Sequence, residues 1–212
     1  MVRTPSPPEP SAAGVSDGVT RLTVWFASQG WTPFPFQREA WEAVARGEDG
    51  LIHVPTGAGK TYAAYIAALA SCIDTPPDGL AIVYVTPLRA LARDIERALR
   101  APVEALGLSL RVETRTGDTP SAVRQRQKAR LPHVLVTTPE SLTVLLSYED
   151  AARHFGAVRV AIIDEWHELV SSKRGTQVEL ALARLRCMAP ALRTWALSAT
   201  LHDPSLAAQC VV

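Results

Sequence analysis

Short apolar runs alternate with longer amphipathic segments along most of the chain, from about residue 22 onward. This alternation is typical of parallel βαβ units, in which a helix connects each strand to the next. Several runs, such as VAII just before Asp164, are apolar throughout, as expected when helices cover both faces of a sheet. We therefore predict an α/β fold with a doubly wound, mostly parallel sheet and helices on both of its faces.

The predicted elements alternate regularly and show no internal repeat. Strands are predicted at 51–54, 81–86, 108–114, 134–137, 158–163 and 194–197. Helices are predicted at 37–46, 60–71, 88–99, 121–129, 139–146 and 176–188. Because a doubly wound sheet binds its ligands beyond the carboxyl ends of its strands, functional residues are expected directly after each strand.

A glycine-rich segment, PTGAGKT at 55–61, follows the first predicted strand and begins a predicted helix. Its backbone N–H groups can surround a phosphate, the ammonium of Lys60 can reach the outer phosphates, and the hydroxyl of Thr61 can hold Mg²⁺. The general phosphate-loop pattern begins with glycine, whereas this chain has Val54 there, and a glycine turn without function is the alternative. The predicted nucleotide contacts are Thr56, Gly57, Ala58, Gly59, Lys60 and Thr61.

Two adjacent carboxylates, Asp164 and Glu165, follow the strand predicted at 158–163. In a phosphate-loop ATPase such an aspartate holds Mg²⁺, and a neighbouring carboxylate orients or deprotonates the attacking water. Alone, the pair would more often be a solvated strand end or a helix cap. With a phosphate loop upstream, we predict catalytic roles for Lys60, Asp164 and Glu165, and Mg²⁺ contacts for Thr61 and Asp164.

Composition limits the remaining possibilities. A net charge of +1 at pH 7 provides no global basic field, so any contact with nucleic acid must be local. No apolar run approaches the roughly 18 residues of a membrane span. The three cysteines lack metal-ligand spacing, which favours reduced thiols and the cytoplasm. Residues 1–18, rich in Pro and Ser, are predicted to be a disordered tail preceding a domain at 19–212.

The phosphate loop, the DEWH segment at 164–167 and the tripeptide Ser198-Ala199-Thr200 occur in the order and at the strand ends that resemble superfamily 2 DExH helicases. The segments WTPFPFQREAW, TPLRALARDI and VLVTTPESL look like the Lhr type, especially its ligase-associated branch. The resemblance implies the first RecA-like domain of an ATP-dependent 3′–5′ DNA helicase or translocase acting in DNA repair, with ATP and Mg²⁺ as cofactors. It also implies that His167 and Ser198-Ala199-Thr200 couple the nucleotide to nucleic acid.

Gln37 and Phe34 resemble the adenine-reading glutamine motif of this family. An amide can donate to and accept from the edge of adenine, and an aromatic ring can stack on its face. A helix-start glutamine beside core aromatic residues is the alternative explanation.

Three Thr-Pro pairs, beginning at Thr86, Thr119 and Thr138, place a capping hydroxyl before a proline that suits a first helical turn. Each is a good helix start in any protein, and each can offer free N–H groups to a phosphodiester backbone. The helicase resemblance assigns contacts with single-stranded DNA, with RNA or a DNA–RNA hybrid as alternatives, to Thr86, Pro87, Leu88, Arg89, Gly117, Asp118, Thr138, Pro139 and Glu140. The basic cluster Arg124, Arg126, Lys128 and Arg130 is interpreted as a solvated helix face.

A superfamily 2 motor needs a second RecA-like domain, whose arginines complete the ATP site. Only residues 201–212 follow Thr200, so we expect an excised or truncated domain with weak turnover. The expected partners are that second domain, the C-terminal domains of the parent protein and a DNA ligase or nuclease repair system. A non-catalytic RecA-like binding module is the alternative function.

Overall fold

The computed structural model describes residues 16–170 and 172–200. Within this part of the chain the strands are β1 (Gly50–His53), β2 (Ile82–Val85), β3 (Val112–Arg115), β4 (Val134–Thr137), β5 (Val160–Ile163) and β6 (Arg193–Ser198). The helices are α1 (Asp17–Ser28), α2 (Pro35–Ala45), α3 (Lys60–Asp74), α4 (Arg89–Ala105), α5 (Ser121–Ala129), α6 (Pro139–Leu146), α7 (Ala151–Phe155), α8 (Trp166–Leu169) and α9 (Lys173–Met188).

The described strands form one sheet in the order β1-β6-β5-β2-β4-β3. Every pairing between them is parallel. Because parallel neighbours need crossover connections, all the carboxyl ends lie at one edge of the sheet. The predicted doubly wound α/β fold is confirmed, and the described sheet is parallel throughout rather than mostly parallel.

The two faces of the sheet support two separate hydrophobic clusters. On the central strand β2, the side chains of Ile82 and Tyr84 join the cluster formed with α1, α2, α3 and α4. The side chains of Val83 and Val85 join the cluster formed with α6, α7, α8 and α9. All four are fully buried, so the uninterrupted apolar character of the strand results from helices on both faces.

Helix α1 corrects the predicted boundary of the N-terminal tail. Asp17 and Gly18, assigned to the tail, lie in this helix, and the Ser16 hydroxyl caps it by accepting the N–H of Val19 at 3.1 Å. The rest of the predicted tail, residues 1–15, lies outside the described residues. Leu22 is fully buried on the inner face of α1, which packs against α3. The capping serine and the helical spacing of the apolar side chains were the sequence signals for this element.

Helix α4 extends beyond its predicted end at residue 99 and contains Pro102. A proline has no N–H for the carbonyl four residues earlier, which here belongs to Ala98. The Tyr62 hydroxyl donates to that carbonyl at 3.1 Å, so the helix continues without an unpaired acceptor. The strand predicted at 108–114 is observed as the shorter segment Val112–Arg115, which begins four residues later and ends one residue later.

Two short helices, α7 and α8, were not predicted. Each contributes a buried aromatic side chain to the second cluster, Phe155 from α7 and Trp166 from α8. None of the described helices combines the length and the apolar character needed to cross a bilayer.

Substituting Leu22 with alanine should test whether α1 belongs to the folded unit. Truncating this fully buried side chain should lower the free energy of unfolding by about 2–5 kcal/mol, measured by urea denaturation. Val24 on the same helix is 66% exposed, so Val24→Ala should change stability by no more than about 0.5 kcal/mol. Equal effects of the two substitutions would show that α1 does not fold cooperatively with the sheet.

Candidate functional site

The predicted motifs lie at the carboxyl edge of the sheet. The phosphate loop follows β1, the DEWH segment follows β5, and Ser198 closes β6, which lies between those two strands. The sequence therefore brings three separated segments to neighbouring positions through the strand order alone.

The phosphate loop is a left-handed turn leading directly into α3. Gly57 and Gly59 both have φ of +82°, a conformation that favours glycine. Helix α3 begins at Lys60, with no side-chain cap among the described residues, which leaves first-turn N–H groups for a ligand. The Lys60 ammonium is buried and donates to the carbonyl of Val54 at 3.2 Å, so the residue that replaces the usual first glycine contributes through its backbone.

Gln37 holds the phosphate loop against the start of α2. Its side chain is buried, its Oε1 accepts the N–H of Phe34 at 2.9 Å, and its Nε2 donates to the carbonyl of Gly59 at 3.0 Å. A Cβ at position 59 would lie 2.8 Å from that Nε2, which is a second reason for glycine there. The amide thus bonds to the protein at both ends, and adenine reading by Gln37 stays a prediction. The ring of Phe34 is 55% exposed and stacks on Phe36, so it retains a face for a base.

Tyr84 holds the acidic motif from inside the sheet. Its hydroxyl donates to Asp164 Oδ2 at 2.8 Å, and the Thr61 side chain lies near that hydroxyl. Burial and the Asp164 carboxylate hold the pKa of Tyr84 well above its usual value, so the hydroxyl keeps its proton. The predicted magnesium ligand Asp164 is therefore held by a buried hydroxyl that the sequence analysis did not single out.

Asp164 is a buried carboxylate with a bond to each of its oxygens. Its Oδ1 accepts the N–H of Glu165 at 2.9 Å, and its Oδ2 accepts the Tyr84 hydroxyl. Burial raises the pKa of Asp164, while the Tyr84 bond and the nearby charge of Lys60 act in the opposite direction.

Glu165 has the one positive φ among the described non-glycine residues, at +48°. Such a conformation costs about 1–3 kcal/mol and is often found at functional sites. Its Oε2 is buried and has no hydrogen-bond partner among the described residues, and the imidazole Nδ1 of His167 lies 3.5 Å from it. A buried carboxylate oxygen with a free lone pair can accept a proton or orient a water molecule.

His167 connects the acidic motif to the end of β6. Its Nδ1 lies 3.2 Å from the hydroxyl of the buried Ser198, and the same hydroxyl bonds to the carbonyl of Thr200 at 3.2 Å. Of the predicted coupling residues, Ser198 therefore contacts the acidic motif, while Ala199 is half-buried and Thr200 is exposed.

The oxygen set at this edge fits a magnesium ion. Mg²⁺ is usually held by one or two carboxylates together with phosphate oxygens and water, not by a cage of protein ligands. Asp164 and Thr61 supply oxygens of this kind, while the described residues contain no group of three His, Cys, Asp or Glu side chains that could hold a metal.

The predicted nucleic-acid residues divide into buried and exposed groups. The buried ones are Thr86, Pro87, Thr138 and Pro139, while Leu88, Arg89, Gly117 and Asp118 are exposed and Glu140 is half-buried. Arg89 and Asp118 approach to 3.8 Å, so the segment after β2 and the turn after β3 meet at one surface. Nucleic-acid contact by these residues stays a prediction.

Two of the three predicted Thr caps are wrong. Thr138 caps α6 by accepting the N–H of Ser141 at 3.5 Å, as predicted. Helix α4 instead begins at Arg89, and Thr86 bonds to the N–H of Leu88 before it. Helix α5 begins at Ser121, and the Thr119 hydroxyl accepts the N–H of Thr116 to close the turn. In both cases the threonine stabilises the loop before the helix.

An arginine absent from the predicted site, Arg174, spans two of its segments. Its guanidinium donates to Glu140 Oε1 at 2.6 Å and to the carbonyl of Pro87 at 2.7 Å. A basic residue just after the DEWH segment was the only sequence signal, and its partners could not be inferred without the sheet order.

The basic cluster on and after α5 has separate local partners. Arg124 bonds to the carbonyl of Thr119 at 2.6 Å, and Arg126 pairs with Glu113 at 3.1 Å. Arg130 lies 3.8 Å from Asp78, while the Lys128 ammonium lies 5.5 Å from the ring centre of Tyr148. This arrangement agrees with the interpretation of the cluster as a solvated face.

These features define a class of protein. A parallel sheet with a glycine loop after one strand, and a paired carboxylate motif two strands away, is a RecA-like phosphate-loop domain. Residues 34–208 match the family described as DEAD/DEAH box helicase, and the chain belongs to that family.

The comparisons with individual proteins narrow the similarity to Lhr-type helicases. The chain is 41% identical over 196 residues to the Lhr helicase/probable uracil glycosylase of Mycolicibacterium smegmatis, a match that covers 85% of this chain and 13% of that protein. A structure of Mycobacterium smegmatis helicase Lhr bound to ssDNA and AMP-PNP has a TM-score of 0.76 at 38% identity, over 91% of this chain and 26% of that one. The chain thus spans only a small part of these relatives.

A more distant structure supports the fold alone. The DUF1998 helicase MrfA bound to DNA and AMPPNP has a TM-score of 0.82 at 22% identity, over 94% of this chain and 29% of that one.

Tyr84→Phe should destabilise the protein in a pH-dependent way. At neutral pH it leaves the charged Asp164 without a bond to Oδ2, which should cost about 1–3 kcal/mol in the free energy of unfolding. Burial already raises the folded-state pKa of Asp164, and loss of this bond should raise it further. The difference in free energy of unfolding between wild type and variant should therefore be largest above the pKa of Asp164. It should shrink as the pH falls through that pKa.

Tyr65→Phe provides the matched control for this prediction. Tyr65 is equally buried, and its hydroxyl donates to the backbone carbonyl of Leu99 at 2.9 Å. Because a carbonyl does not titrate, its cost should be constant over the acidic range in urea denaturation series. A constant cost for Tyr84→Phe as well would contradict the assigned bond.

Proposed function

We propose that the chain is the ATP-binding motor domain of an ATP-dependent 3′–5′ DNA helicase or translocase acting in DNA repair, from the ligase-associated branch of the Lhr type. The domain binds Mg-ATP and single-stranded nucleic acid, and hydrolysis and unwinding need a second RecA-like domain in addition. The observation that carries the proposal is the buried Asp164 carboxylate, which accepts the Tyr84 hydroxyl at 2.8 Å and lies at the same sheet edge as the phosphate loop. The Lhr structure bound to ssDNA and AMP-PNP supports both ligand classes.

The roles of the nucleotide-site residues follow from their positions. Lys60 exchanges its bond to the carbonyl of Val54 for the outer phosphates, and the free N–H groups at the start of α3 bind the same group. Thr61 and Asp164 would hold Mg²⁺, which neutralises charge on the phosphate oxygens when bound. Glu165 orients the attacking water and accepts its proton through the buried Oε2.

The coupling role rests on the contact between His167 and Ser198. A nucleotide that draws Glu165 toward its water also moves the adjacent imidazole, because His167 Nδ1 lies within 3.5 Å of the same carboxylate. The Ser198 hydroxyl, 3.2 Å from that nitrogen, transmits the change to the segment that leaves β6. The order of these contacts supports Ser198, Ala199 and Thr200 as the coupling element.

Binding of nucleic acid is proposed at the exposed part of the same sheet edge. The guanidinium of Arg89 can pair with a phosphate, and its partner Asp118 is 65% exposed, so their present ion pair is weak and exchangeable. Contacts to the phosphate backbone give little base selectivity, which is compatible with movement along a strand.

Lys60→Ala should abolish binding of Mg-ATP by this chain. The substitution removes the ammonium that reaches the outer phosphates, so a fluorescent ATP analogue should bind at least about tenfold more weakly. Lys128→Ala removes a lysine from the solvated face of α5 and should leave the affinity unchanged. Nucleotide binding that is equal in the Lys60→Ala and wild-type proteins, or independent of Mg²⁺, would favour a non-catalytic binding module instead.

Glu165→Gln should separate binding from hydrolysis in the full-length protein. The amide keeps the shape of the side chain but cannot accept a proton, so DNA-stimulated turnover should fall about 10²- to 10⁴-fold with ATP affinity retained. Glu179→Gln, which changes an exposed carboxylate on α9, is the control and should hydrolyse ATP at the wild-type rate. Undiminished turnover in Glu165→Gln would remove the general-base role.

A further inference from the structure

One guanidinium joins two of the segments assigned to nucleic acid. Arg174, the second residue of α9, forms a forked pair with Glu140: Nε to Oε1 is 2.6 Å and Nη2 to Oε2 is 3.4 Å. The same Nη2 donates to the carbonyl of Pro87 at 2.7 Å. Glu140 lies in the first turn of α6, and Pro87 lies just before α4. The bonds therefore fix the distance between the segments that follow the paired strands β4 and β2.

These hydrogen bonds stabilise the charged form of Glu140. Partial burial alone would raise the pKa of its carboxyl, but the hydrogen bonds from Arg174 and from its own first-turn backbone and Thr138 outweigh burial and lower the pKa. A planar guanidinium can serve two acceptors in fixed directions, whereas an ammonium acts as a point charge. The geometry is thus specific for arginine.

The position of Arg174 is itself fixed by the end of α8. A Cβ at Gly175 would lie 2.2 Å from the carbonyl of Leu169, so the start of α9 approaches α8 at a distance that glycine alone permits. The Ser172 hydroxyl donates to the same carbonyl at 2.7 Å and accepts the N–H of Gly175 at 3.1 Å. Helix α8 begins directly after Glu165 and ends at Leu169. Its four residues therefore connect the acidic motif to the start of α9, which carries Arg174.

We propose that Arg174 is a positioning residue for nucleic-acid binding. It holds the segments at 87–89 and 138–140 at the spacing that a phosphodiester backbone requires, and it does so through Glu140 and Pro87, without contacting the phosphate. The inference rests on the proposed function, because it assigns a purpose to an arrangement at the proposed nucleic-acid surface. A direct phosphate contact by Arg174 is the competing explanation.

The two explanations predict opposite signs for Glu140→Gln. If Glu140 merely neutralised a phosphate-binding arginine, removing its charge would tighten the binding of a fluorescently labelled oligo(dT) strand. If the pair positions the two segments, Glu140→Gln should weaken that binding despite the loss of a negative charge. We expect roughly fivefold to tenfold weaker binding for Glu140→Gln and for Arg174→Met. The double variant should be no weaker than the weaker single variant, because either substitution already breaks the pair.

Conservative and remote variants complete the experiment. Arg174→Lys keeps the positive charge but not the forked geometry, so under the positioning role it should bind oligo(dT) as weakly as Arg174→Met. If Arg174 contacted the phosphate directly, the lysine would largely restore the affinity. Arg97→Met and Asp94→Asn break an exposed pair of the same type on α4, 3.3 Å apart, and should leave oligo(dT) affinity unchanged. The affinity for the ATP analogue should stay at the wild-type value in all of these variants, which separates positioning from general loss of structure.

Each outcome bears on the proposal. Tighter binding by Glu140→Gln, full affinity in Arg174→Lys, or wild-type affinity in Arg174→Met would overturn the positioning role while leaving the proposed function intact. A wild-type chain that binds ATP analogue but no oligo(dT) would instead overturn the nucleic-acid part of the proposed function, and the positioning role with it.

Discussion

The site depends on placing a buried carboxylate, Asp164, beside the phosphate loop without leaving its charge unpaired. An isolated charge in a protein interior is costly, and burial alone would favour the neutral form. The Tyr84 hydroxyl and the N–H of Glu165 each bond to one carboxylate oxygen, and Lys60 adds a nearby positive charge. The phosphate loop, the sheet and the acidic motif are consequently one electrostatic unit.

Glu165 is an energetically unfavourable position in this arrangement. Among the described residues, it has a left-handed backbone and a buried Oε2 without a hydrogen-bond partner. Neither feature improves stability, and both are explained if the carboxylate has to face an external water molecule. The helix that follows, α8, was invisible in the apolar pattern because its four residues are too few to show helical periodicity. Its buried ends, Trp166 and Leu169, nevertheless connect the strained residue to the second hydrophobic cluster.

The sequence was sufficient for the fold and for placing the motifs at the carboxyl ends of the strands, because uniformly apolar strands and a glycine loop carry local signals. It was insufficient where a residue acts through a partner that is remote in sequence. Tyr84 in a buried strand looks like ordinary core, and its partner Asp164 is eighty positions away. The roles of Thr86 and Thr119 were misjudged for a related reason: a Thr-Pro pair fits either a cap or the loop before it, and tertiary contacts decide between the two.

The location of Arg174 provides a second connection, besides Ser198, between the residues around Glu165 and the proposed nucleic-acid surface. Glu165 precedes α8, Leu169 ends it, and the start of α9 is held against that end by Ser172 and a glycine. A shift of the Glu165 carboxylate therefore has a short, packed route to the arginine that spans the segments after β2 and β4. Close-packed contacts of this kind transmit displacement because they cannot be compressed independently.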